Sequence, residues 1–381
     1  MKYVICIPDG CADLPVPELN GRTPLEVAHT PHLDALAARA VVGRAGVIPE
    51  GMAPGSDVGN MSIFGADPSK FHTGRAPIEA AAIGLTLRED QIAFRCNLVT
   101  VPDGIMRDFT GGSPETATAA VVIEALQDAL GTDEVSFHTG IGFRHSVVTP
   151  ASWLDAYIEP PHDLTGDPVV EPTGPAASKI AALMEASKEV LAASDLEATQ
   201  VWLWGQGHMP VLDSLPETYG ISAGLVTAVD LLRGVALLSG VEIHDIDGAT
   251  GECDTDYEGK RDIALEKLAD GHDLFIVHVE ATDMAGHAGD VAAKVKALED
   301  WDSRILAGLI PGLDAMGPWR LLMLPDHATP LTTRTHTPDP VPYLLADSRT
   351  DGPGGMFTEN GVADAPLVKG HLLLPQLLER T

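Results

Sequence analysis

Three aspartates in this chain each follow a short apolar run that is typical of a buried β-strand. They are Asp9 after residues 3–7, Asp283 after residues 274–279, and Asp326 after residues 320–324. In open parallel sheets, ligands bind beyond the carboxyl ends of the strands. Three carboxylates that converge there repel one another unless a cation neutralises their charge. The spacing therefore predicts a divalent metal site at the strand ends.

Histidines accompany two of these acids. Asp283 and His287 have the i, i+4 spacing that lets both side chains reach one ion if the segment is helical. Asp326 and His327 are adjacent, so we expect their side chains to diverge and to serve two neighbouring ions, and His336 follows soon after. Carboxylate and imidazole ligands suit Mn²⁺ or Zn²⁺ better than Mg²⁺. Taken singly, each pair is more often a surface or capping feature, so the prediction depends on their coincidence at strand ends.

Ser56 is the candidate nucleophile. Gly55 permits a tight turn before it, and the residues that follow can begin a helix. A hydroxyl at a helix N-terminus lies beside backbone N–H groups that favour phosphate. A metal ion there would lower the pKa of the hydroxyl and remove the need for a histidine base. The alternative interpretation is that Ser56 only caps the helix.

The order of apolar runs and helical patterns predicts an α/β fold with a largely parallel sheet and helices on its faces. Apolar residues recur at helical spacing between 291 and 309. A second helix is predicted from Ser113 as N-cap, through Pro114, to a stop at Gly131. His278 lies inside a predicted strand, so we expect a hydrogen-bonded core histidine there.

The length of 381 residues is sufficient for two domains. Residues 153–175 are rich in Pro, Asp and Gly, which is typical of a connection, and we expect a domain edge there. This predicts a core domain of residues 1–75 and 175–381 that is interrupted by a smaller inserted domain of residues 76–174.

Composition excludes several classes of function. The net charge of −31, from 55 acidic and 24 basic residues, argues against binding to nucleic acid or to anionic membranes. The cysteines have no CxxC spacing, so neither a zinc module nor a disulfide framework is indicated. The N-terminal residues lack the apolar region of a signal peptide, and no apolar run approaches the roughly 20 residues of a membrane span. We expect a cytoplasmic protein, and an oligomer is compatible with the sequence.

The order Asp, Gly-Ser, Asp-x-x-x-His, Asp-His and His resembles the alkaline phosphatase superfamily in its cofactor-independent phosphoglycerate mutase branch, and the short, archaeal-type subfamily most of all. The resemblance extends over nearly the whole chain. The segments that carry it are 54–57, 73–80, 93–98, 204–207, 257–260, 277–280 and 335–342. It implies an alkaline-phosphatase-like, mostly parallel sheet between helices, with a smaller inserted α/β domain that binds substrate and closes as a lid.

The resemblance also implies a chemistry. One divalent ion would be held by Asp9, Ser56, Asp326 and His327, and a second by Asp283, His287 and His336. Mn²⁺ is the expected metal, with Zn²⁺ and Mg²⁺ as alternatives, and no bisphosphoglycerate is needed. Ser56 would accept the phosphoryl group of a small phosphorylated hydroxy acid and return it to the neighbouring hydroxyl, which interconverts 3-phosphoglycerate and 2-phosphoglycerate in glycolysis.

Further residues take roles by the same resemblance. Those expected to bind substrate are Arg75, Arg95, Asn97, Arg144 and Lys260, and those expected in catalysis beside Ser56 are Lys260, Arg144 and His145. Arginine suits the planar, bidentate recognition of carboxylate and phosphate. The alternative for each charged residue is a surface or interdomain salt bridge.

Other functions remain open on the same two-metal site. Bacterial relatives usually carry a Gly-His element where this chain has residues 108–114, and many have arginine where it has His208. Both changes leave the identity of the acceptor open, so phosphotransfer to another hydroxy acid such as homoserine, a phosphatase or a phosphonate-pathway enzyme are the alternatives. A catalytically silent metal-binding protein would be expected to lack a ligand or Ser56, and none is missing.

Overall fold

The computed structural model describes residues 1–379. Its strands are β1 (Lys2–Pro8), β2 (Val41–Gly46), β3 (Gln91–Val99), β4 (Ser136–Ile141), β5 (Arg144–Pro150), β6 (Gln200–Gly207), β7 (Ala223–Val226), β8 (Glu242–Ile243), β9 (Leu274–Val279), β10 (Trp319–Met323), β11 (Val341–Asp347) and β12 (Leu367–Lys369). The chain divides into two compact units, Met1–His72 with the residues from Leu212 onward, and Thr73–Val211. Arg380 and Thr381, which the sequence assigns to the core domain, lie outside the described residues.

The helices are short to medium in length. They are α1 (Pro24–Val27), α2 (Pro31–Ala37), α3 (Ser56–Ile63), α4 (Pro68–Phe71), α5 (Arg75–Ala82), α6 (Thr116–Leu130), α7 (Ala177–Ala192), α8 (Leu215–Tyr219), α9 (Asp230–Leu238), α10 (Tyr257–Ala269), α11 (Ala281–Ala288), α12 (Val291–Asp300), α13 (Ala307–Met316) and α14 (Leu373–Leu377). Short 3₁₀ turns occur at Pro17–Leu19, Pro102–Gly104, Ala151–Trp153 and Gly370–Leu372. Within residues 1–379, none of the helices is both long and apolar enough to cross a membrane.

The first unit is built on an eight-stranded sheet of order β12-β2-β11-β10-β1-β9-β7-β8. The strands from β10 to β8 run parallel, whereas β11 pairs antiparallel with both β10 and β2. The three predicted strands are β1, β9 and β10, and they are neighbours in the sheet. Every residue of β9 is buried, as expected for a strand covered on both faces. The predicted mostly parallel α/β fold is therefore confirmed.

The helical pattern between β9 and β10 is confirmed as well. The helical conformation continues from α12 through a π-helical segment, Trp301–Leu306, into α13. Trp301, Ile305 and Leu309 are buried against Phe275 of β9 in the main core of this unit. Burying this apolar stripe holds the helices on the sheet and so fixes the strand ends that carry the site.

The second unit contains a four-stranded antiparallel sheet of order β4-β5-β3-β6, on which α6 and α7 pack. Because β6 pairs with β3 and Ile180 of α7 lies in the same core, this unit continues to Val211. The sequence-based boundary between residues 174 and 175 is thus too early, and residues 153–175 form a connection inside the unit. Helix α6 ends before Gly131 as predicted but starts at Thr116, because Ser113 adopts a left-handed conformation with φ 50°.

Candidate active site

The ends of three neighbouring strands bring the three aspartates together. Asp9 follows β1 directly, and its amide donates a hydrogen bond of 3.0 Å to the carbonyl of Val279 at the end of β9. Asp283 lies in α11, which begins just after β9, and Asp326 follows β10. Gly10 has φ 60°, and a Cβ at this position would collide with Asp283 and with the Thr329 hydroxyl. A glycine is therefore required where these loops meet.

The first group of candidate ligands is Asp9, Asp326 and His327, each with at most 1% of its surface exposed. One ligand atom from each lies within 4.8 Å of the other two. His327 Nε2 is 3.4 Å from Asp326 Oδ2 and 3.6 Å from Asp9 Oδ1. Asp9 Oδ1 is buried and has no hydrogen-bond partner among the described residues. A buried polar atom in that condition is unfavourable, and a cation would satisfy it.

The electrostatics of this group also fit a cation. Burial raises the pKa of Asp9 well above its ordinary value, and the carboxylates of Asp326, Asp283 and Glu280 raise it further. Burial lowers the pKa of the His327 imidazole, which leaves a neutral nitrogen free to bind a metal. A divalent ion would reverse the repulsion between the carboxylates. The donor set therefore fits a divalent metal ion.

The second group is Asp283, His287 and His336. Helix α11 places Asp283 and His287 on one face, with Asp283 Oδ2 3.3 Å from His287 Nε2. His336 Nε2 is 3.4 Å from Asp283 Oδ1 and 3.0 Å from His287 Nε2. Burial raises the pKa of Asp283, but hydrogen bonds to the two histidines outweigh burial and hold it well below its ordinary value. The i, i+4 spacing thus brings both side chains to one place, as predicted.

His327 connects the two groups. Its ring stacks on that of His336, with 3.8 Å between the centroids, and its nitrogen also lies within 4.8 Å of ligand atoms of Asp283 and His336. The prediction that Asp326 and His327 diverge because they are adjacent is wrong. Their ligand atoms are 3.4 Å apart, because the irregular segment after β10 turns both side chains toward Asp9.

Ser56 lies beside the first group. It is the first residue of α3, with Gly55 as N-cap, and its hydroxyl is 3.1 Å from His327 Nε2. Asn60, one turn further along α3, donates a hydrogen bond of 2.9 Å to the Ser56 carbonyl and another of 2.7 Å to Asp326 Oδ2. The helix N-terminus and the carboxylate are therefore held in one arrangement, with Ser56 partly exposed.

Two residues that contact the candidate ligands, Asn60 and Thr329, are not predicted from the sequence. Asn60 could have been found from its i, i+4 spacing to Ser56. The Thr329 hydroxyl donates to Asp283 Oδ1 over 2.5 Å and lies 3.1 Å from His327 Nδ1, so it orients a ligand of each group. No local signal marks Thr329, because the partners are distant in the chain. Such contacts to metal ligands fix their orientation.

His278 is the hydrogen-bonded core histidine that the sequence predicts. It is fully buried, and its ring nitrogens lie 2.9 Å from Asp9 Oδ2 and 2.9 Å from the Thr227 hydroxyl. Burial lowers its pKa to about 3. The Lys260 ammonium donates a 3.1 Å hydrogen bond to the His278 carbonyl, and burial lowers the pKa of Lys260 to about 8. Lys260 is fully buried within this unit, and its predicted contact with substrate stays a prediction.

The second unit carries the predicted arginines. Glu79 of α5 accepts from Arg75 Nε at 3.1 Å and pairs with Arg95 Nε at 2.7 Å. The Arg95 guanidinium lies over the ring of Trp204, 4.3 Å from its centroid. Burial lowers the pKa of Arg95 to about 10, Glu79 raises it, and the charges of Arg75 and Arg144 lower it. Arg75 and Arg95 thus share one carboxylate, and the charge of Arg144 adds to a local positive excess that favours an anion.

Strand alternation separates two residues that were expected to act together. Asn97 of β3 is opposite Arg144 of β5, and Cys96 is opposite His145, so Arg144 and His145 are on different faces of the sheet. Arg144 is exposed, whereas His145 is buried and burial lowers its pKa to about 4. His145 Nδ1 accepts from the Gly140 amide over 3.1 Å. This placement gives no support to a proton-transfer role for His145.

Asn97 is buried and bonded within the second unit. Its amide donates 3.2 Å to the Phe109 carbonyl, and its oxygen accepts from Trp204 Nε1 over 3.1 Å. Trp204 in turn lies against the Arg95 guanidinium. The structure therefore places Asn97 where it orients Trp204 beneath Arg95.

The eight-stranded sheet, the candidate ligand groups at its strand ends and Ser56 are what the sequence predicts for one class of protein, the metal-dependent phosphotransferases. A Pyrococcus horikoshii protein of known structure has the same fold, with a TM-score of 0.79 and 26% identity over 99% of this chain and 96% of its own. The cofactor-independent phosphoglycerate mutase from Thermoplasma acidophilum aligns with a TM-score of 0.64 and 22% identity over 100% and 99% of the two chains. The predicted fold class is confirmed.

Sequence comparison gives the family. Residues 37–197 match the profile of 2,3-bisphosphoglycerate-independent phosphoglycerate mutase. The chain is 40% identical over its full length to a probable 2,3-bisphosphoglycerate-independent phosphoglycerate mutase from Geobacter sulfurreducens, and 41% identical to the Methanosarcina acetivorans mutase, with 100% of each chain covered in both cases. The chain belongs to the 2,3-bisphosphoglycerate-independent phosphoglycerate mutase family.

Proposed function

We propose that the protein interconverts 3-phosphoglycerate and 2-phosphoglycerate through a phosphorylated Ser56. The observation that carries the proposal is the position of the Ser56 hydroxyl at the start of α3, 3.1 Å from His327 Nε2 and beside the buried carboxylates. The names of the full-length relatives support this reaction and do not favour homoserine, phosphatase or phosphonate chemistry.

Two divalent ions belong to the proposal. Asp9, Ser56, Asp326 and His327 would hold one ion, and Asp283, His287 and His336 the other. The mixture of carboxylate and imidazole ligands favours Mn²⁺, with Zn²⁺ as the nearest alternative. When bound, such ions supply positive charge that lowers the pKa of the Ser56 hydroxyl and neutralises the transferred phosphoryl group.

The reaction consists of two transfers in opposite directions. In the first, Ser56 Oγ loses its proton and forms a bond to phosphorus, the bond from phosphorus to the substrate oxygen breaks, and that oxygen takes up a proton. In the second, the neighbouring substrate hydroxyl loses a proton and attacks the phosphorus, and the bond to Ser56 Oγ breaks and Oγ is reprotonated. Neither a proton nor water is consumed overall. Asn60 donates to the Ser56 carbonyl and so holds Ser56 in place through both transfers, while the N-terminal amides of α3 favour the transferred phosphoryl group.

Arginines of the second unit would bind the anionic groups of the substrate. Arg75, Arg95 and Arg144 supply more positive charge than Glu79 neutralises. Arg95 is held rigidly by Glu79 and Trp204, so little side-chain entropy is lost when it binds an anion. Arg144 is exposed, so its guanidinium can contact a carboxylate or phosphate directly.

The test is to incubate the purified protein with Mn²⁺ and 3-phosphoglycerate, without bisphosphoglycerate, and to follow the products by phosphorus NMR. We expect 2-phosphoglycerate without free phosphate, and no conversion when a chelator replaces Mn²⁺. Free phosphate alone, or no reaction with Mn²⁺ present, would overturn the proposed substrate. Homoserine with ATP would then be the next pair to test.

A further inference from the structure

A second cluster of metal-ligating side chains lies at the opposite end of β9 from the candidate active site. Glu242 belongs to β8, His244 follows β8, and His272 precedes β9. The other end of the same six-residue strand leads to α11 and Asp283. At about 3.3 Å per residue, the first and last residues of β9 are about 17 Å apart. The cluster is therefore separate from the groups around Ser56.

The spacing of the three side chains suits a shared ion. One ligand atom from each lies within 4.8 Å of the other two. The Glu242 carboxylate oxygens are 3.7 Å from His244 Nε2 and 3.4 Å from His272 Nε2, both longer than ordinary hydrogen bonds. Ligands placed tetrahedrally at about 2.0–2.1 Å from a zinc ion are about 3.3 Å from one another. The cluster has room for an ion at its centre.

His244 supplies an independent observation. Its side chain is 10% exposed, and its buried Nε2 has no hydrogen-bond partner among the described residues. The ring is stacked on Phe275, with 5.5 Å between the centroids and 26° between the planes. A Cβ on Gly224 would lie 3.0 Å from Nε2, so the glycine leaves the space that this nitrogen faces. The nitrogen is held in place without a protein partner.

The protonation states are compatible with metal binding. Burial lowers the pKa of the His244 imidazole, while Glu242 raises it and the charges of His272 and Lys267 lower it further. A neutral imidazole has the lone pair that a metal requires. The Glu242 side chain is 65% exposed, so its carboxylate can adjust to an ion, whereas both imidazoles are held against Phe275.

We propose that Glu242, His244 and His272 bind one divalent transition-metal ion of the zinc class, distinct from the catalytic pair. Two imidazoles and one carboxylate suit Zn²⁺, whereas Mg²⁺ and Ca²⁺ prefer oxygen ligands. The ion would link β8 to the segment that precedes β9, through Glu242 and His244 on one side and His272 on the other. Strand β8 has two residues and lies at the edge of the sheet, so it gains most from such a link.

The test is to remove all metal from the full-length protein and to titrate it with Zn²⁺ by calorimetry, with the bound zinc counted by elemental analysis. The variants are Glu242→Gln and His272→Ala, and the control is His32→Ala, which removes an exposed histidine elsewhere in the same unit. We expect each cluster variant to bind one equivalent fewer than wild type and control, with the Kd for that ion raised by about 100-fold or more.

A second measurement follows the backbone directly. The His244 amide donates a hydrogen bond of 2.8 Å to the Leu225 carbonyl, and Zn²⁺ should slow its hydrogen exchange in wild type but not in Glu242→Gln. The exposed position of Glu242 means that this variant keeps its fold. Equal zinc stoichiometry and equal exchange in wild type and both variants would overturn the site. Neither readout requires mutase activity, so failure of the proposed function would be seen separately.

Discussion

Two groups of buried charges, one in each unit, are arranged in opposite ways. In the first unit, neither Asp9 nor Asp326 pairs with a lysine or arginine among residues 1–379, and Asp9 Oδ1 has no hydrogen-bond partner there. In the second unit, the buried Arg95 is paired with Glu79 and stacked on Trp204. The two carboxylates of the first unit would be balanced by an added cation, whereas the buried Arg95 already has a carboxylate partner within the protein. Removing one carboxylate should therefore preserve or raise the stability of the first unit without metal, and should lower the stability of the second unit.

The largest expected effect follows loss of the nucleophile. Ser56→Ala removes the hydroxyl that accepts the phosphoryl group, and we expect mutase turnover to fall by at least about 10⁴-fold. Phosphorus NMR of the conversion of 3-phosphoglycerate measures it.

The matched control for this change is Ser62→Ala, in the same helix. The Ser62 hydroxyl donates 2.6 Å to the Val47 carbonyl, so its loss should lower the free energy of unfolding by about 1–3 kcal/mol and leave turnover intact. Turnover retained by Ser56→Ala would show that another group accepts the phosphoryl group.

The second prediction concerns a charge that an added cation must balance. In the presence of a chelator, Asp9→Asn should unfold at the same temperature as wild type or higher, because it removes the cost of burying a carboxylate and its repulsion with Asp326. With Mn²⁺ at about 1,000 times Kd, wild type should gain about 4 kcal/mol of stability and the variant should gain far less. Thermal unfolding with and without Mn²⁺ measures both effects. If Asp9→Asn is less stable than wild type without metal, the claim that Asp9 is destabilising in the metal-free protein is wrong.

The third prediction concerns the removal of a carboxylate from the second unit. Glu79→Ala leaves the buried Arg95 guanidinium without its carboxylate, so the free energy of unfolding should fall by about 4 kcal/mol, with or without Mn²⁺. Denaturant unfolding measures the change. Asp90→Ala serves as the control, since Asp90 pairs with the exposed Arg88 and its loss should change stability by less than about 1 kcal/mol. If Glu79→Ala leaves the free energy of unfolding unchanged, the proposed contrast between the two units is wrong.

The fourth prediction is a pH dependence within the second unit. Burial lowers the pKa of His145 from 6.5 to about 4, so the folded state favours the neutral imidazole. The contribution of the neutral His145 to the free energy of unfolding is fully present above pH 6.5. It is lost as the pH falls toward about 4, because the unfolded chain binds the proton at a higher pH than the folded chain does. At about 1.4 kcal/mol per pKa unit, the loss is roughly 3 kcal/mol. Unfolding of wild type and His145→Gln between these pH values should differ in slope, and parallel curves would refute the shift.

The smallest effect is expected at Arg144. Because its guanidinium is exposed, Arg144→Ala should leave the melting temperature unchanged but raise KM for 3-phosphoglycerate about tenfold, through loss of one charged contact. Steady-state kinetics measure it, and Arg88→Ala is the control for loss of an exposed arginine in the same unit. An unchanged KM would remove Arg144 from substrate binding.

The same contrast explains what could be predicted from sequence. Asp9, Asp283 and Asp326 follow apolar runs, and the ends of neighbouring parallel strands lie at one edge of a sheet, so local patterns were sufficient to predict that these side chains converge. His287 follows from helical spacing. The contact of the buried Lys260 with the His278 carbonyl and the contacts of Thr329 join residues far apart in the chain, which no local pattern contains.

The second unit was harder to predict for a related reason. The roles of its arginines are predicted only by resemblance to a family. That resemblance does not give the strand pairing of β3 with β5, which places Arg144 and His145 on opposite faces of β5. The end of the unit was also missed, because residues 153–175 contain the turn residues of a domain edge but lead into α7 and β6 of the same unit. Pairing of β6 with β3, which decides the boundary, is a long-range contact.

The most direct test of the central claim is to find the phosphoryl group on the protein. The enzyme would be mixed with Mn²⁺ and 3-phosphoglycerate carrying radioactive phosphorus, quenched in acid during turnover and digested into peptides. We predict label on the peptide that contains Ser56, and none in Ser56→Ala. Label on a different residue, or formation of 2-phosphoglycerate with no labelled protein at any quench time, would contradict a phosphorylated Ser56.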